Sequence, residues 1–340
     1  MSQIGVIAIG RNEGDRLKRC LVAAIAQADH VVYVDSGSTD GSVDFAKSLG
    51  VGVVELDLST PFTAARARNA GFERLVSLAS DTAFIQFVDG DCELVAGYIA
   101  KALQTFVGKE KLGIVSGRRR ERERGASLYN RLCDMEWDTP IGPCKSCHGD
   151  ALMRREAFEE AGMFDETMIA GEEPELCVRL RAKGWAIERI DAEMTMHDAA
   201  MTKFSQWWKR NVRAGHAYAE GADKHGAPPE LHNVKQVRSA LVWGLVVPVI
   251  AIGFLLGGIV QPWLLIGIAL IMLVSVLTLI KIALYRKRRG DTWLDSLLYG
   301  YAVLKGKLPT ALGILKYRRN KKSGKQSKLI EYKSEGAVRG

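Results

Sequence analysis

The chain has 340 residues, of which 47% are hydrophobic and 25% charged, and its formal net charge is +8. These values are ordinary for a globular protein of about two domains and exclude the disordered and fibrous classes. The charge is unevenly distributed. Residues 281–340 contain 16 Lys and Arg against 4 Asp and Glu, a net +12, so the rest of the chain carries −4. The basic character therefore belongs to the C-terminal tail.

Short apolar segments alternate with amphipathic ones along the first 90 residues. Strands are predicted at 5–9, 30–34, 51–56 and 84–88, and helices at 13–27, 42–49 and 63–78. This alternation predicts an α/β fold with a mostly parallel sheet and helices on both faces. Ligands of such sheets bind beyond the carboxyl ends of the strands. Polar groups follow the strands at 11–13, 35–40 and 89–91, which predicts a site at that edge.

The stretch FIQFVDGDCE, residues 84–93, ends an apolar strand in two aspartates separated by one glycine. A strand entering an Asp-Gly turn explains the pattern without any chemistry. In an extended strand, however, the side chains of Asp89 and Asp91 point to the same face, and their carboxylate oxygens are suitable ligands for Mg²⁺ or Mn²⁺. A cation on a diphosphate would stabilise the departing phosphate. His197 is a candidate third ligand, with a structural histidine as the alternative.

A second acidic group, Glu172-Glu173, lies just before Pro174. Acids at a helix start complement the helix dipole, which explains them without catalysis. A carboxylate near a bound cation can also take a proton from an incoming hydroxyl. Both interpretations stay open on the residues alone.

No charged residue occurs from Ser239 to Ile280. A membrane span needs about 20 apolar residues, so this segment predicts two spans with a turn at Gln261-Pro262, rather than a buried core hairpin. Basic residues on both sides place both ends in the cytoplasm, and we expect no signal peptide. The basic tail is expected to contact anionic lipid, with nucleic acid as the alternative. Two further helices, 292–304 and 309–317, are predicted to lie on the membrane surface.

Two other patterns have both a functional and a structural explanation. Cys144-Lys-Ser-Cys147-His148 has the form of a c-type haem attachment site, and a zinc site with Cys133 is a second alternative. Reduced thiols in a cytoplasmic loop are the favoured interpretation. The charge run Arg118–Arg124 predicts a solvated surface loop, with capture of a lipid-linked phosphate as the alternative.

Six segments in order resemble the inverting, GT-A-fold glycosyltransferases of family 2, over about residues 3–215. They are IAIGRNEGDRLKRCL, VVYVDSGSTDGS, TAARARNAGF, FIQFVDGDCEL, CHGDALMRREAFEEAGMFDE and AGEEPELCVRLRAKGW. More narrowly, the chain is similar to bacterial members with a C-terminal membrane segment that serve polysaccharide or glycolipid assembly. The sequence QWWKR at 206–210 departs from the Gln-x-x-Arg-Trp of processive synthases, which argues for addition of one sugar per encounter.

The resemblance implies roles for particular residues. The implied sets are a donor site of Glu13, Asp35, Asp40, Arg68 and Asp89, a metal site of Asp91, Asp89 and His197, and an acceptor cleft at Gly149 and Asp150. Arg66 is the less favoured alternative to Arg68 at the donor site. The catalytic base is Glu173 or its neighbour Glu172. The family's usual pair is Glu-Asp, so a glutamate base is a departure.

Together these observations predict a membrane-anchored, metal-dependent, inverting hexosyltransferase. We expect a GT-A catalytic domain at 1–225, a juxtamembrane linker at 226–238, a two-helix transmembrane hairpin at 239–285, and a basic cytoplasmic or interfacial tail at 286–340. The expected partners are a nucleotide-diphospho-sugar, a lipid-linked or saccharide acceptor and the bacterial inner membrane, without nucleic acid. The alternatives are a catalytically silent GT-A domain acting as a membrane assembly partner, and a nucleotidyltransferase.

Overall fold

The computed structural model of the protein describes residues 3–325 and 327–331. Within these residues the chain divides into two compact units, the first ending at Thr202 and the second beginning at Lys203. The helix over residues 204–225, which the sequence analysis grouped with the catalytic domain, belongs to the second unit. Residues 332–340 of the predicted basic tail lie outside the described residues.

The first unit alternates strands and helices as predicted. Its strands are β1 (Gln3–Gly10), β2 (His30–Asp35), β3 (Gly52–Glu55), β4 (Thr82–Asp89), β5 (Cys92–Leu94), β6 (Leu112–Glu121), β7 (Gly142–Pro143), β8 (Ala151–Arg154) and β9 (Ala186–His197). Its helices are α1 (Asp15–Ile25), α2 (Ser42–Ser48), α3 (Ala64–Leu78), α4 (Tyr98–Phe106), α5 (Leu128–Trp137), α6 (Arg155–Glu160) and α7 (Glu172–Ala182).

All these strands form one sheet in the order β3-β2-β1-β4-β8-β6-β9-β5, with β7 also paired to β9. Strands β1 to β4 are parallel to one another, and β6 and β9 run in the same direction, because β8 is antiparallel to both β4 and β6. The remaining strands, β5 and β7, are antiparallel to β9. The sheet is mixed and mostly parallel, so the predicted α/β class is confirmed.

Two apolar layers cover the faces of this sheet. Successive residues of a strand point to opposite faces, and in β4 Ile85 and Phe87 pack in one layer whereas Phe84 and Val88 pack in the other. Helices α3, α6 and α7 cover the first face, and α1 and α4 cover the second. Asp89 is the last residue of β4, so it lies at the carboxyl end of the sheet, just beyond these two apolar layers.

The second unit is helical within the described residues. It comprises α8 (Phe204–His225), α9 (Val234–Leu241), a π-helical turn (Val242–Val246), α10 (Val247–Val260), a 3₁₀ turn (Pro262–Leu264), α11 (Leu265–Arg288), α12 (Trp293–Lys305) and α13 (Lys307–Lys322).

Two long apolar helices dominate this unit. Val234–Val260 and Pro262–Arg288 each have 27 residues. Their most apolar windows have mean hydropathies of 2.4 and 2.8, and only 11% of the first window and 0% of the second is buried. The predicted pair of helices with a turn at Gln261 is therefore confirmed. A core helix of a soluble protein would bury most of its apolar side chains, and these helices expose theirs. Insertion into a membrane and its orientation stay predictions.

The other helices of this unit pack closely through glycines. A Cβ at Gly215 of α8 would lie 1.9 Å from the Thr310 carbonyl oxygen, and one at Gly313 of α13 would lie 2.0 Å from that of Val212. Only glycine allows two backbones to approach so closely. Similarly, Gly300 of α12 contacts α11 at Leu279. The two helices predicted to lie on a membrane surface are thus packed against other helices of this unit.

Candidate active site

The sheet topology brings the ends of several strands to one place. Strands β4, β6 and β9 end there, and β8 begins there, because it runs in the opposite direction. The polar residues at these ends come from segments that are distant in the sequence. They are Asp89 from β4, Arg119 and Glu121 from β6, Asp150 just before β8, and Thr195 and His197 from β9.

Asp89 is paired with two arginines. Arg68 Nη2 donates to its Oδ1 at 2.9 Å, and Arg119 Nη2 donates to its Oδ2 at 3.3 Å. Its backbone N–H donates to Asp150 Oδ1 at 3.2 Å. Arg68 and Arg119 are both buried, so their charges are compensated mainly by carboxylates rather than by water.

Asp91 has a different partner. Its Oδ2 lies 3.3 Å from Nε2 of His197, and both side chains are buried. Neighbouring ligands about 2.1 Å from an octahedral cation lie about 3 Å apart, so this carboxylate–imidazole pair fits one divalent ion. Among the described residues, two groups of three side chains could hold a metal ion. One is this pair with Cys92, and the other is Asp89, Cys92 and Asp150. Because arginines hold that second group, the Asp91–His197 pair fits a metal better.

Glu172 and Glu173 begin helix α7, on the other side of Arg68. Arg68 Nη1 lies 2.7 Å from Glu172 Oε1 and 3.0 Å from Glu173 Oε1. The Glu172 side chain is 4% exposed and that of Glu173 is 14% exposed. Burial, together with the negative charge of Glu172, raises the pKa of Glu173 to about 7, against the opposing effect of Arg68. Glu173 is thus the more accessible of the two carboxylates and can exchange a proton near neutral pH.

The predicted acceptor cleft lies against the same cluster. A Cβ at Gly149 would lie 2.7 Å from Arg68 Nη2 and 2.9 Å from Glu173 Oε1, so only a glycine fits there without displacing them. Asp150 is fully buried. It accepts from Arg119 Nε at 2.8 Å and from Thr195 Oγ1 at 2.6 Å, and so connects the start of β8 to β6 and β9.

The residues predicted to contact the nucleotide lie at the ends of β1 and β2. Asp35 accepts from the Tyr33 hydroxyl at 2.8 Å and from the backbone N–H of Gly37 and Ser38. Asp40 accepts from the backbone N–H of Gly14 at 2.9 Å, which joins the loops after β1 and β2.

Glu13 pairs with Arg16 at 2.8 Å. Its Cγ lies 3.4 Å from the position of a Cβ on Gly90, so it borders the Asp-Gly-Asp turn. The predicted contacts of Glu13, Asp35 and Asp40 to a base and ribose stay predictions.

The charge run contains two site residues that the sequence analysis missed. The predicted surface loop is wrong for its first half, because residues 118–121 continue strand β6. Alternation along the strand buries Arg119 and Glu121 at the site, whereas Arg118 turns towards Asp134 of α5. The signal was the apolar run LGIVSG just before the charges, which marks a strand whose period of two extends through them.

The Cys144–His148 segment has its own packing. The Cys144 N–H donates to the Ile187 carbonyl at 2.9 Å, and Cys147 Sγ lies 3.6 Å from Cys177 Sγ in the core. Burial and the charge of Arg119 lower the pKa of His148 to about 4. This packing favours the interpretation of these cysteines as structural thiols.

Comparisons with known proteins agree with this architecture. Residues 6–162 match the family described as Glycosyl transferase family 2. A TPR repeat-containing protein of Synechococcus elongatus is 28% identical over 132 residues, which are 39% of this chain and 31% of that protein. The chain thus spans less than a third of the length of the curated relative that it matches.

Two solved structures are similar in fold to the chain. The mannosyltransferase PcManGT from Pyrobaculum calidifontis, in complex with GDP-Man and Mn²⁺, has a TM-score of 0.56 and 16% identity, covering 94% of this chain and 88% of that one. Residues 1–349 of TarS from S. aureus give a TM-score of 0.51 and 13% identity, covering 94% and 92%. At such identities the likeness shows the fold alone. The first unit therefore has the GT-A fold, and its residues 6–162 match glycosyltransferase family 2.

Proposed function

We propose that the chain is an inverting glycosyltransferase that moves a sugar from a nucleotide-diphospho-sugar to an acceptor hydroxyl. The observation that supports it best is the position of Arg68. This one buried guanidinium contacts Asp89 of the Asp-Gly-Asp turn and both carboxylates of the Glu172-Glu173 pair. A carboxylate suited to deprotonate an acceptor therefore lies beside the predicted donor site, as a single-displacement reaction requires.

In the proposed reaction Glu173 is the general base. Its raised pKa, about 7, makes it a stronger base than an ordinary carboxylate while much of it stays ionised at neutral pH. It takes the proton of the acceptor hydroxyl, whose oxygen forms a bond to the anomeric carbon. The bond from that carbon to the diphosphate breaks on the opposite face, and its electron pair leaves with the nucleoside diphosphate. Attack opposite the leaving group inverts the anomeric configuration.

Arg68 and Gly149 position this base. Arg68 Nη1 lies 3.0 Å from Glu173 Oε1 and 2.7 Å from Glu172 Oε1, which keeps two adjacent carboxylates in one place despite their repulsion. The missing side chain of Gly149 leaves room for both groups. We assign Glu172, the more buried acid, to fixing Arg68, and Glu173 to the acceptor.

Asp91 and His197 would hold Mg²⁺ or Mn²⁺. When bound, such an ion neutralises negative charge on the departing diphosphate. The pair fits in ligand type and spacing, and the mannosyltransferase of similar fold was solved with Mn²⁺ and a nucleotide sugar. Asp89, which is held by two arginines, would face the donor.

The second unit is proposed to hold the enzyme at the inner face of a bacterial membrane. Its two apolar helices form a hairpin, and Arg286–Arg289 at the end of the second one would bind anionic headgroups. Basic residues at both ends of the hairpin support a cytoplasmic location for these ends. This location would bring the enzyme to a lipid-linked or saccharide acceptor in polysaccharide or glycolipid synthesis.

The test is a screen of nucleotide sugars with the purified chain, with bacterial membranes supplying the acceptor and released nucleoside diphosphate as the readout. We expect release with one donor, and its near-complete loss in Asp91→Asn with folding unchanged. Release of pyrophosphate would indicate a nucleotidyltransferase instead. No release from any donor would favour the catalytically silent assembly partner.

A further inference from the structure

The carboxylate of Glu121 contacts His197 on the side of the ring opposite Asp91. Its Oε2 lies 3.3 Å from His197 Nδ1 and accepts the backbone N–H of Ala199 at 3.1 Å. Its Oε1 accepts the backbone N–H of Glu123 at 3.2 Å and Asn130 Nδ2 at 3.3 Å. The side chain is fully buried, so these donors replace water around it.

A metal-binding imidazole is neutral, and these contacts determine which of its two nitrogens would then carry the proton. Both oxygens of Glu121 already accept hydrogen bonds from N–H donors, so Nδ1 would donate to this carboxylate. Nε2 then carries its lone pair towards Asp91 Oδ2, 3.3 Å away, and two acceptors face each other. A cation between the two atoms would turn this repulsion into shared coordination.

The ring orientation is fixed by a second contact. Trp137 packs against His197 in a T-shaped arrangement, with ring centroids 4.7 Å apart and an interplanar angle of 70°. Trp137 ends α5, and Asn130, which donates to Glu121, lies on the same helix. Helix α5 therefore supports both the imidazole and the carboxylate behind it.

We propose that Glu121 is a positioning residue of the metal site. It fixes the tautomer and the orientation of His197, so that Nε2 is presented as a ligand beside Asp91. Histidine ligands commonly donate their other nitrogen to a carboxylate, and loss of such a partner weakens metal affinity about 10- to 100-fold. The inference rests on the metal site in the proposed function and adds to it a residue of β6 to which that proposal gives no role.

The test is a titration of the full chain in detergent with Mn²⁺. Binding is measured as the loss of the electron paramagnetic resonance signal of free Mn²⁺. In Glu121→Gln the amide can donate to Nδ1 and so move the ring proton to Nε2, where it blocks coordination. We expect affinity to fall at least tenfold. The thermal unfolding midpoint of the metal-free protein should fall too, because in either orientation the amide NH₂ faces a buried N–H donor, so binding is measured well below the midpoint of the variant. Glu123→Gln, whose side chain is exposed, is the matched control and should bind like the wild type.

A double-mutant cycle separates positioning from a general effect on folding. In a His197→Ala background, Glu121→Gln should cause no further loss of Mn²⁺ affinity, because its effect acts through the imidazole. The proposal fails if Glu121→Gln binds Mn²⁺ like the wild type, or if its effect is as large without His197. It also fails if His197→Ala leaves the Mn²⁺ affinity unchanged. That result would mean that His197 is an imidazolium that pairs with Asp91 and Glu121 and does not bind the metal. Glu121-dependent Mn²⁺ binding without sugar transfer would overturn the proposed function alone.

Discussion

The two units differ in what they bury and what they expose. The first gathers buried charged side chains in one cluster beside the strand ends: Arg68, Arg119, Asp150 and Glu172. The second exposes large apolar ones, among them Ile259 at 78% and many others along its two long helices. Buried charges persist only where partners compensate them, and extended apolar surface calls for a non-aqueous neighbour. The comparison supports the proposed chemistry of the first unit and the proposed membrane association of the second.

The largest expected effect tests the chemistry of the first unit. Glu173→Gln keeps the size of the side chain but removes the base, so transfer should fall by about 10² to 10⁴. Initial rates of nucleoside diphosphate release measure it. Glu156→Gln, on an exposed position of α6, is the control. If Glu173→Gln keeps near-normal rates, the base is another group, and Glu172 is the first to examine.

Arg68→Met tests whether Arg68 stabilises the fold through its ion pairs with three carboxylates. The change leaves Asp89, Glu172 and Glu173 without their shared cation, and breaking a buried pair costs about 3–5 kcal/mol in the free energy of unfolding. Denaturant unfolding of the full chain in detergent measures the loss. Arg66→Met on the same helix removes contacts to two carbonyl oxygens only and should cost much less. Equal losses in the two variants would contradict the role of Arg68.

The packing of the second unit has its own test. In Gly313→Ala the new Cβ would lie 2.0 Å from the Val212 carbonyl oxygen, so α13 and α8 must separate. Overpacking of this kind costs about 1–3 kcal/mol. At Gly253 of α10 a new Cβ would meet no atom of another element within 4 Å, so Gly253→Ala should leave the thermal unfolding midpoint unchanged or raise it slightly, because Ala favours a helix over Gly. Similar midpoints in both variants would show that the close approach does not stabilise this unit.

The smallest effect is a pH dependence of the first unit. A carboxyl group whose pKa is raised to about 7 is protonated below that pH and then cannot take the proton from the acceptor hydroxyl. We therefore expect kcat/KM to fall about tenfold per pH unit below pH 7 and to level off above it. A profile of kcat/KM from pH 5.5 to 8.5 measures it. A flat profile down to pH 5.5 would exclude Glu173 as the titrating base.

Much of the fold was predictable because its signals are local. The strand predicted at 84–88 is β4, Thr82–Asp89, and the helix predicted at 63–78 is α3, Ala64–Leu78, capped by Thr63. The periodicity of apolar residues over a short stretch of sequence is enough to predict such elements. The same holds for the uncharged segment that forms the two long helices. The boundary between the units was less predictable, because α8 joins the second unit by packing on α13, about 100 residues further along the chain.

The sequence by itself determined the acids of the site and the edge of the sheet at which they lie. Only the tertiary structure decided their partners: arginines for Asp89, an imidazole for Asp91, and for Glu172 a guanidinium 104 residues away in sequence. It also brought Arg119 and Glu121 into the site from a run of charges that looked like exposed surface. The physical reason is that a charge acquires its pKa and its role from neighbours in space, and those neighbours are brought together only when the sheet forms.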